Sequence, residues 1–397
     1  MGAELDDWGL PAPPPPRRPR GPGRAQIRRR RLGLGLACIA LLALVVLGVL
    51  LATGGGGGGP SVAVTPEVAK AVERLSAGEK VDTVLAVGFA GTRAPQLAPD
   101  QGGVVIEPAN WPGDGAGRSL LAAIHAAGRA PGRVPPLVIG LQEGGQYRAY
   151  AELPPPLREL DIGDRGDPAL AESSSRQAAA ALKKAGFDLN LAPVADVATL
   201  DSAIADRSYG DEPELVAQMT AAAIRGCAAA GLACAPSHFP GEGAASGDTG
   251  DGPATVGLDP ATLRARDLVP FRAAFDAKAP AVVLSHSFYA AYDSVTPASL
   301  SPQIATGLLR DELGFEGVAI TDDLSAGAIR GGDGAGDASV QALSAGADLL
   351  LVSDPGDAAA ARASLLKAVG SGQFSQQRLD DAVARVLELK RKAGLLG

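Results

Sequence analysis

The sequence predicts an α/β protein, a (β/α)8 barrel of the TIM type, preceded by a single transmembrane helix and a disordered N-terminal tail. Three observations carry this reading. Eight short apolar runs alternate with helical patterns through residues 62–397. A 21-residue span without charge, 32–52, directly follows a cluster of arginines. Polar and ionisable residues gather just after the apolar runs, where a parallel barrel exposes its strand ends to ligand.

Residues 1–31 are rich in proline (Pro13 to Pro16) and arginine (Arg28 to Arg31) and cannot bury a core, so a disordered tail is expected. Eight arginines against Glu4, Asp6 and Asp7 give it a charge of +5, which leaves −13 for the rest of a chain whose net is −8. At ~1.5 Å per residue, the apolar span reaches across a bilayer core of ~30 Å. Residues 32–53 are therefore read as a transmembrane helix or uncleaved signal anchor. The arginines before it hold the N-terminus in the cytoplasm and send the chain beyond the span to the outside; a cleaved signal peptide is the competing reading. Residues 54–61 hold six consecutive glycines closed by Pro60, a flexible linker.

The barrel runs are 83–89, 103–107, 137–140, 189–193, 233–237, 281–285, 317–321 and 349–352. Each is short, apolar and bounded by turn residues, as buried parallel strands are. Residues 213–230 and 260–277 read as amphipathic helices between them, and 376–396 as a closing helix. A doubly wound open sheet is the alternative, but no Gly-x-Gly-x-x-Gly turn comes after the first run.

An acidic exported domain argues against nucleic acid, which requires a basic face. With aromatics at 4%, a short ligand in a pocket fits better than a long stacking groove. There is no Cys/His metal spacing, and three histidines make a His-based zinc site improbable; no metal or cofactor is expected. A monomer is expected. Cys227 and Cys234 either pair in an oxidising compartment or are two small buried residues.

The seventh run ends in two adjacent carboxylates, Ile320-Thr321-Asp322-Asp323-Leu324. Side chains alternate along a strand, so one acid faces the barrel mouth and the other lies on the opposite face. Asp322 takes the first place, where a rigid carboxylate can serve as nucleophile; Asp323 is expected to cap the next helix. Other strand ends supply Gln142-Glu143-Gly144-Gly145, Pro193-Val194-Ala195-Asp196, Ser237-His238-Phe239-Pro240-Gly241-Glu242 and Ser285-His286. Two of three histidines thus stand at strand ends, whereas His125 reads as an ordinary helix residue.

Taken in order, these blocks resemble glycoside hydrolase family 3, especially its single-domain bacterial β-N-acetylhexosaminidases that trim peptidoglycan fragments. The likeness also runs through Val87-Gly88-Phe89-Ala90-Gly91-Thr92, Asp206-Arg207-Ser208-Tyr209-Gly210 and Ala345-Gly346-Ala347-Asp348. It implies a retaining glycosidase with Asp322 as the nucleophile and Arg207 and His238 as substrate-binding residues; Glu143 and His286, at strand ends of their own, are expected to join them. The substrate implied is a small carbohydrate or cell-wall glycan.

Several positions depart from the family pattern. The family's Asp-Ser-His triplet, which supplies its proton donor, is Asp248-Thr249-Gly250 here, and glycine carries no proton. Leu141 replaces the acid that grips the sugar, Gln146 the arginine after that block, Ser237 a lysine and Glu242 a histidine. Two readings arise from this. In one, a carboxylate of the Gly-rich loop 241–252 replaces the proton donor, with Glu242 and Asp248 ahead of Asp251. In the other, the chain is a catalytically impaired glycan-binding descendant that keeps the barrel as a scaffold.

Overall fold

The structure, a computed structural model, describes residues 61–129, 133–332 and 334–396. The tail, the apolar span and most of the glycine linker lie outside these residues. Among the described residues, no helix is long and apolar enough to cross a membrane.

Among the described residues, ten strands occur in chain order: β1 (Leu85–Val87), β2 (Gly103–Val105), β3 (Leu137–Gly140), β4 (Leu189–Asn190), β5 (Ala233–Cys234), β6 (Thr255–Val256), β7 (Ala281–Leu284), β8 (Phe288–Tyr289), β9 (Val318–Thr321) and β10 (Leu350–Val352). Six of them form one parallel sheet in the order β10-β1-β2-β3-β4-β5, and β7 pairs in parallel with β9. Two parallel bridges close the circle, Phe239 to Leu284 between the β5 and β7 segments and Ile320 to Leu349 between β9 and β10. The result is an eight-stranded parallel barrel, with the short β6–β8 pair standing apart from it. Each of the eight apolar runs read from the sequence contains one of its strands.

Period-two alternation divides the strand residues between two apolar layers. Ala86, Val105, Leu137, Ile139, Leu189, Ala235, Val283 and Ile320 share one buried cluster, the filling of the barrel. Val386 and Leu389 from the closing helix, Gln376–Lys392, join the same cluster, so this helix seals the barrel at the end where its strands begin. Residues of the opposite register, such as Val104, Ile106 and Val138, pack outward with Trp111, Leu121, Ile124 and Phe187 under the helices.

The helices obey local sequence signals. Pro168–Ala185 starts behind the capping carboxylate of Asp167 and stops at Gly186, whose φ of 109° a side chain would resist. Pro213–Ala230 likewise ends at left-handed Gly231. The single helix expected over 260–277 is instead two, Pro260–Ala265 and Leu268–Asp276. Pro270 explains the break: it has no N–H for the carbonyl of Arg266, four residues earlier. The closing helix ends at Lys392, short of the 396 expected.

Cys227 and Cys234 form a disulfide with Cα atoms 6.2 Å apart. It borders a cavity of about 950 Å3 between the strand starts and the closing helix, also lined by Phe275, Phe315 and Leu389. This cavity faces away from the strand ends, and none of the expected site residues lines it.

Candidate active site

The inward register of the barrel continues beyond the strands. Counting two residues on from Val105, Ile139, Ala235, Val283 and Ile320 brings Glu107, Leu141, Ser237, Ser285 and Asp322 to the rim, all on the axial side. The functional surface of a parallel barrel is built there.

Asp322 comes directly after β9, and its backbone N–H donates to Leu284 O at 2.9 Å, which fixes it against β7. Its Oδ1 accepts the Asp323 N–H at 2.8 Å. Burial would raise its pKa, but His286, His238, the Asp323 amide and Arg207 outweigh it and hold the carboxyl below its ordinary value. A group in this position stays ionised, as a nucleophile must.

Asp323 points away from that centre. Its carboxylate accepts the N–H of Ser325 at 2.9 Å, the N–H of Ser353 at 3.0 Å and the Ser353 hydroxyl. The expected helix cap is therefore not what forms. The next helix, Gly327–Arg330, starts after Ala326, three residues farther on, and Asp323 clamps the ends of β9 and β10 together instead. His286 reinforces the same strand end: Nε2 lies 2.9 Å from Asp323 O, and Nδ1 lies 2.7 Å from Ser299 Oγ.

Arg207, on the turn Ala205–Arg207, donates to both oxygens of Glu143, Nε to Oε2 at 2.9 Å and Nη2 to Oε1 at 2.7 Å. Burial works against its charge, but Glu143, Asp196 and Asp322 more than offset this and raise its pKa. This planar two-bond pairing fixes the guanidinium beside the nucleophile.

His238 forms the third wall. Its Nδ1 lies 2.8 Å from Asp196 Oδ2, and the other carboxylate oxygen, Oδ1, accepts the N–H of His238 and of Glu242. Burial pulls the imidazole pKa down, but Asp196 and Glu242 prevail and push it up to about 10. His238 is therefore a cation at neutral pH, with Nε2 left for a ligand.

The two loop acids are placed differently. Glu242 is only 4% exposed and accepts from Ser285 Oγ at 2.5 Å and Ser287 Oγ at 3.1 Å, under His238 at 3.9 Å. Burial, opposed by His238 but aided by Asp196 and Asp322, raises its pKa. Asp248 and Asp251 are exposed, and Asp248 accepts the Gly250 N–H at 2.8 Å within its own turn. The loop itself is docked: Gly327 N–H donates to Gly250 O and Ala328 N–H to Thr249 O. Thus the structure gathers Asp322, Arg207, Glu143, His238, His286 and Glu242, while Asp248 is exposed on the docked loop.

Sequence reasoning passes over two acids. Asp196 closes the Pro193–Asp196 block and, fully buried, could be suspected from that place alone. Glu159 gives no signal; it reaches back from the helix Glu159–Gly163 to accept the Val194 N–H, and burial together with Glu143 holds its pKa well above the ordinary range.

The chain's likeness to known proteins agrees with this geometry. A family model described as the glycosyl hydrolase family 3 N terminal domain matches residues 79–389. A beta-hexosaminidase of Stenotrophomonas maltophilia (strain R551-3) is 37% identical over 290 residues, 68% of this chain and 84% of that protein. A β-N-acetylhexosaminidase structure from Beutenbergia cavernae DSM 12333 superposes with a TM-score of 0.73 at 31% identity, over 80% of this chain and 99% of that one. A family 3 β-N-acetylglucosaminidase from Paenibacillus sp. str. FPU-7 gives 0.77 at 33% identity; the match covers 81% of this chain but 63% of that longer one. With its barrel closed and its strand-end acids in place, this chain belongs to glycosyl hydrolase family 3 through the family's N-terminal domain.

Proposed function

We propose that the protein is a membrane-tethered retaining glycosidase that removes a terminal β-linked N-acetylhexosamine from short glycans, cell-wall fragments among them. One observation carries the reaction type. A carboxylate at the end of β9 is held ionised at the axis of the mouth, beside Arg207, His238 and His286. Such a group attacks an anomeric carbon and is displaced by water in a second step. The sugar class rests on relatives named beta-hexosaminidase at 33 to 37% identity. Arg207, oriented by Glu143, and His238, oriented by Asp196, bind sugar hydroxyls or the acetamido group.

The glycan-binding alternative draws on the two loop acids, since Glu242 is buried and Asp248 is exposed and bonded within its own turn. A panel of aryl glycosides, tested on the purified full chain in detergent, separates the two. Turnover of the β-N-acetylglucosaminide with retained anomeric configuration is expected. Binding of sugar with no turnover on any member of the panel would establish the pseudoenzyme.

The tether is proposed from residues 28–53, and the disulfide suits an oxidising, exported compartment. Protease added to intact cells should degrade the barrel and spare the N-terminal tail. A protected barrel would reverse the topology, and a fully soluble product would make the span a cleaved signal peptide.

A further inference from the structure

We propose that Glu242 is a positioning residue of this site: with Asp196 it clamps the His238 ring between two carboxylates, and through Ser285 it ties that ring to the strand end beside Asp322. The inference rests on the glycosidase reading above for its ligand and gives a role to an acid that the chemistry so far leaves idle.

The contacts come first. His238 Nδ1 lies 2.8 Å from Asp196 Oδ2 and 3.9 Å from Glu242 Oε2, so both acids address one nitrogen. Asp196 also joins the two residues through the backbone, since its Oδ1 accepts the N–H of each. The other oxygen of Glu242, Oε1, accepts from Ser285 Oγ at 2.5 Å and Ser287 Oγ at 3.1 Å. Ser285 comes directly after β7, whose Leu284 carbonyl accepts the Asp322 N–H. One side chain thereby spans from the loop after β5 to the strand that fixes the nucleophile. Tyr289 completes the anchorage: its hydroxyl donates to Gly241 O at 2.9 Å and lies 3.1 Å from Ser285 Oγ.

Charge gives the clamp its purpose. The groups acting on His238 are Asp196, Glu242, Arg207 and Asp322, three acids against one arginine that Glu143 already engages. Glu242 itself faces His238, Asp196, Asp322 and the Tyr289 phenol, while Asp267, packed on Gly241, is paired with Arg266. With Nδ1–H held by Asp196, loss of the second ring proton turns Nε2 from a donor into an acceptor. Two carboxylates move that loss to the alkaline side, so Nε2–H stays available to a sugar oxygen at neutral pH. The charge is present below the folded pKa of His238 and is lost as pH rises through it, earlier if one carboxylate is removed.

The test is an NMR titration of the full chain with its three histidines labelled at Cε1, from pH 6 to 11, in the native protein, Glu242→Gln, Glu242→Asp and Asp248→Asn. The His238 signal is the one missing from His238→Gln. Its native midpoint should be alkaline, and Glu242→Gln, which keeps the shape without the charge, should lower it by ~1 pH unit or more. Glu242→Asp should keep most of the native midpoint, and Asp248→Asn, an exposed loss of charge from the same loop, should not move it. Calorimetric binding of N-acetylglucosamine should follow the same order, its alkaline decline starting ~1 pH unit lower in Glu242→Gln than in the native chain. Equal midpoints in the native chain and Glu242→Gln would overturn the clamp. So would a native His238 already neutral at pH 7, a result that does not depend on any variant folding. A shifted midpoint in chains that bind no sugar would uphold the clamp and overturn the sugar reading.

Discussion

Asp322→Asn and Asp322→Ala are both expected to abolish hydrolysis, with kcat falling by a factor on the order of 10⁴–10⁶, the scale on which loss of a covalent nucleophile is felt. The asparagine variant is the more informative, because it keeps the shape and the hydrogen bond from the Asp323 N–H while losing the charge. No covalent glycosyl intermediate should be trapped with a slow 5-fluoro N-acetylhexosaminyl substrate, whereas the native chain should gain one sugar mass on the peptide holding Asp322. Asp323→Asn is the matched control. Its carboxylate serves Ser325 and Ser353 rather than the mouth, so its loss should lower thermal stability and leave the intermediate trappable. Equal loss of activity in the two asparagine variants would withdraw the assignment. The pH profile carries a second check. The pKa of Asp322 lies below its ordinary value, so the acid limb of kcat/KM should fall below ~3.9 wherever the protein remains folded. His238, at about 10, keeps its charge across the neutral range and should not shape the profile there.

The barrel is legible in the sequence because its signals are local. A short apolar run of four to seven residues closed by turn residues needs no partner to be recognised, and all eight runs hold strands. The different fates of Asp322 and Asp323 are legible for the same reason, since alternation along a strand acts between neighbours. What Asp323 binds is not. Ser353 lies 30 residues away, just after β10, and only closure of the barrel brings it there. The Arg207–Glu143 pair spans 64 residues and the Glu159 contact to Val194 spans 35, so neither leaves a spacing to read. Glu242 is visible as an acid beside His238, but its burial under Ser285 and Ser287 depends on β7 packing over it.

The largest expected effect on stability lies at the other end of the barrel, at Asp348. This fully buried carboxylate precedes β10 and accepts from Arg310 Nη2 at 2.6 Å, Arg378 Nη2 at 2.9 Å, Arg385 Nη1 at 3.2 Å and the Ala319 N–H at 3.0 Å. It therefore joins the helix before β9, the β9 strand and the closing helix at one point. Burial and the neighbouring arginines bring Arg310 down to about 10, still cationic at neutral pH, so removing the single anion strands three clustered cations. Taking one partner from a buried pair costs ~3–5 kcal/mol, and Asp348→Asn should reach that range while Asp348→Ala meets or exceeds it. Burial opposes the charge of Asp348, but the three arginines overcome it and set its pKa below the ordinary value. Its contribution is then present above the unfolded pKa of ~3.9 and is lost as pH falls through the lower folded value. Urea titrations at pH 7 should show the full difference between native and Asp348→Asn chains, and the difference should shrink as pH drops below ~4. A gap that stayed constant from pH 7 to the acid unfolding range would mean that charge is not what Asp348 contributes.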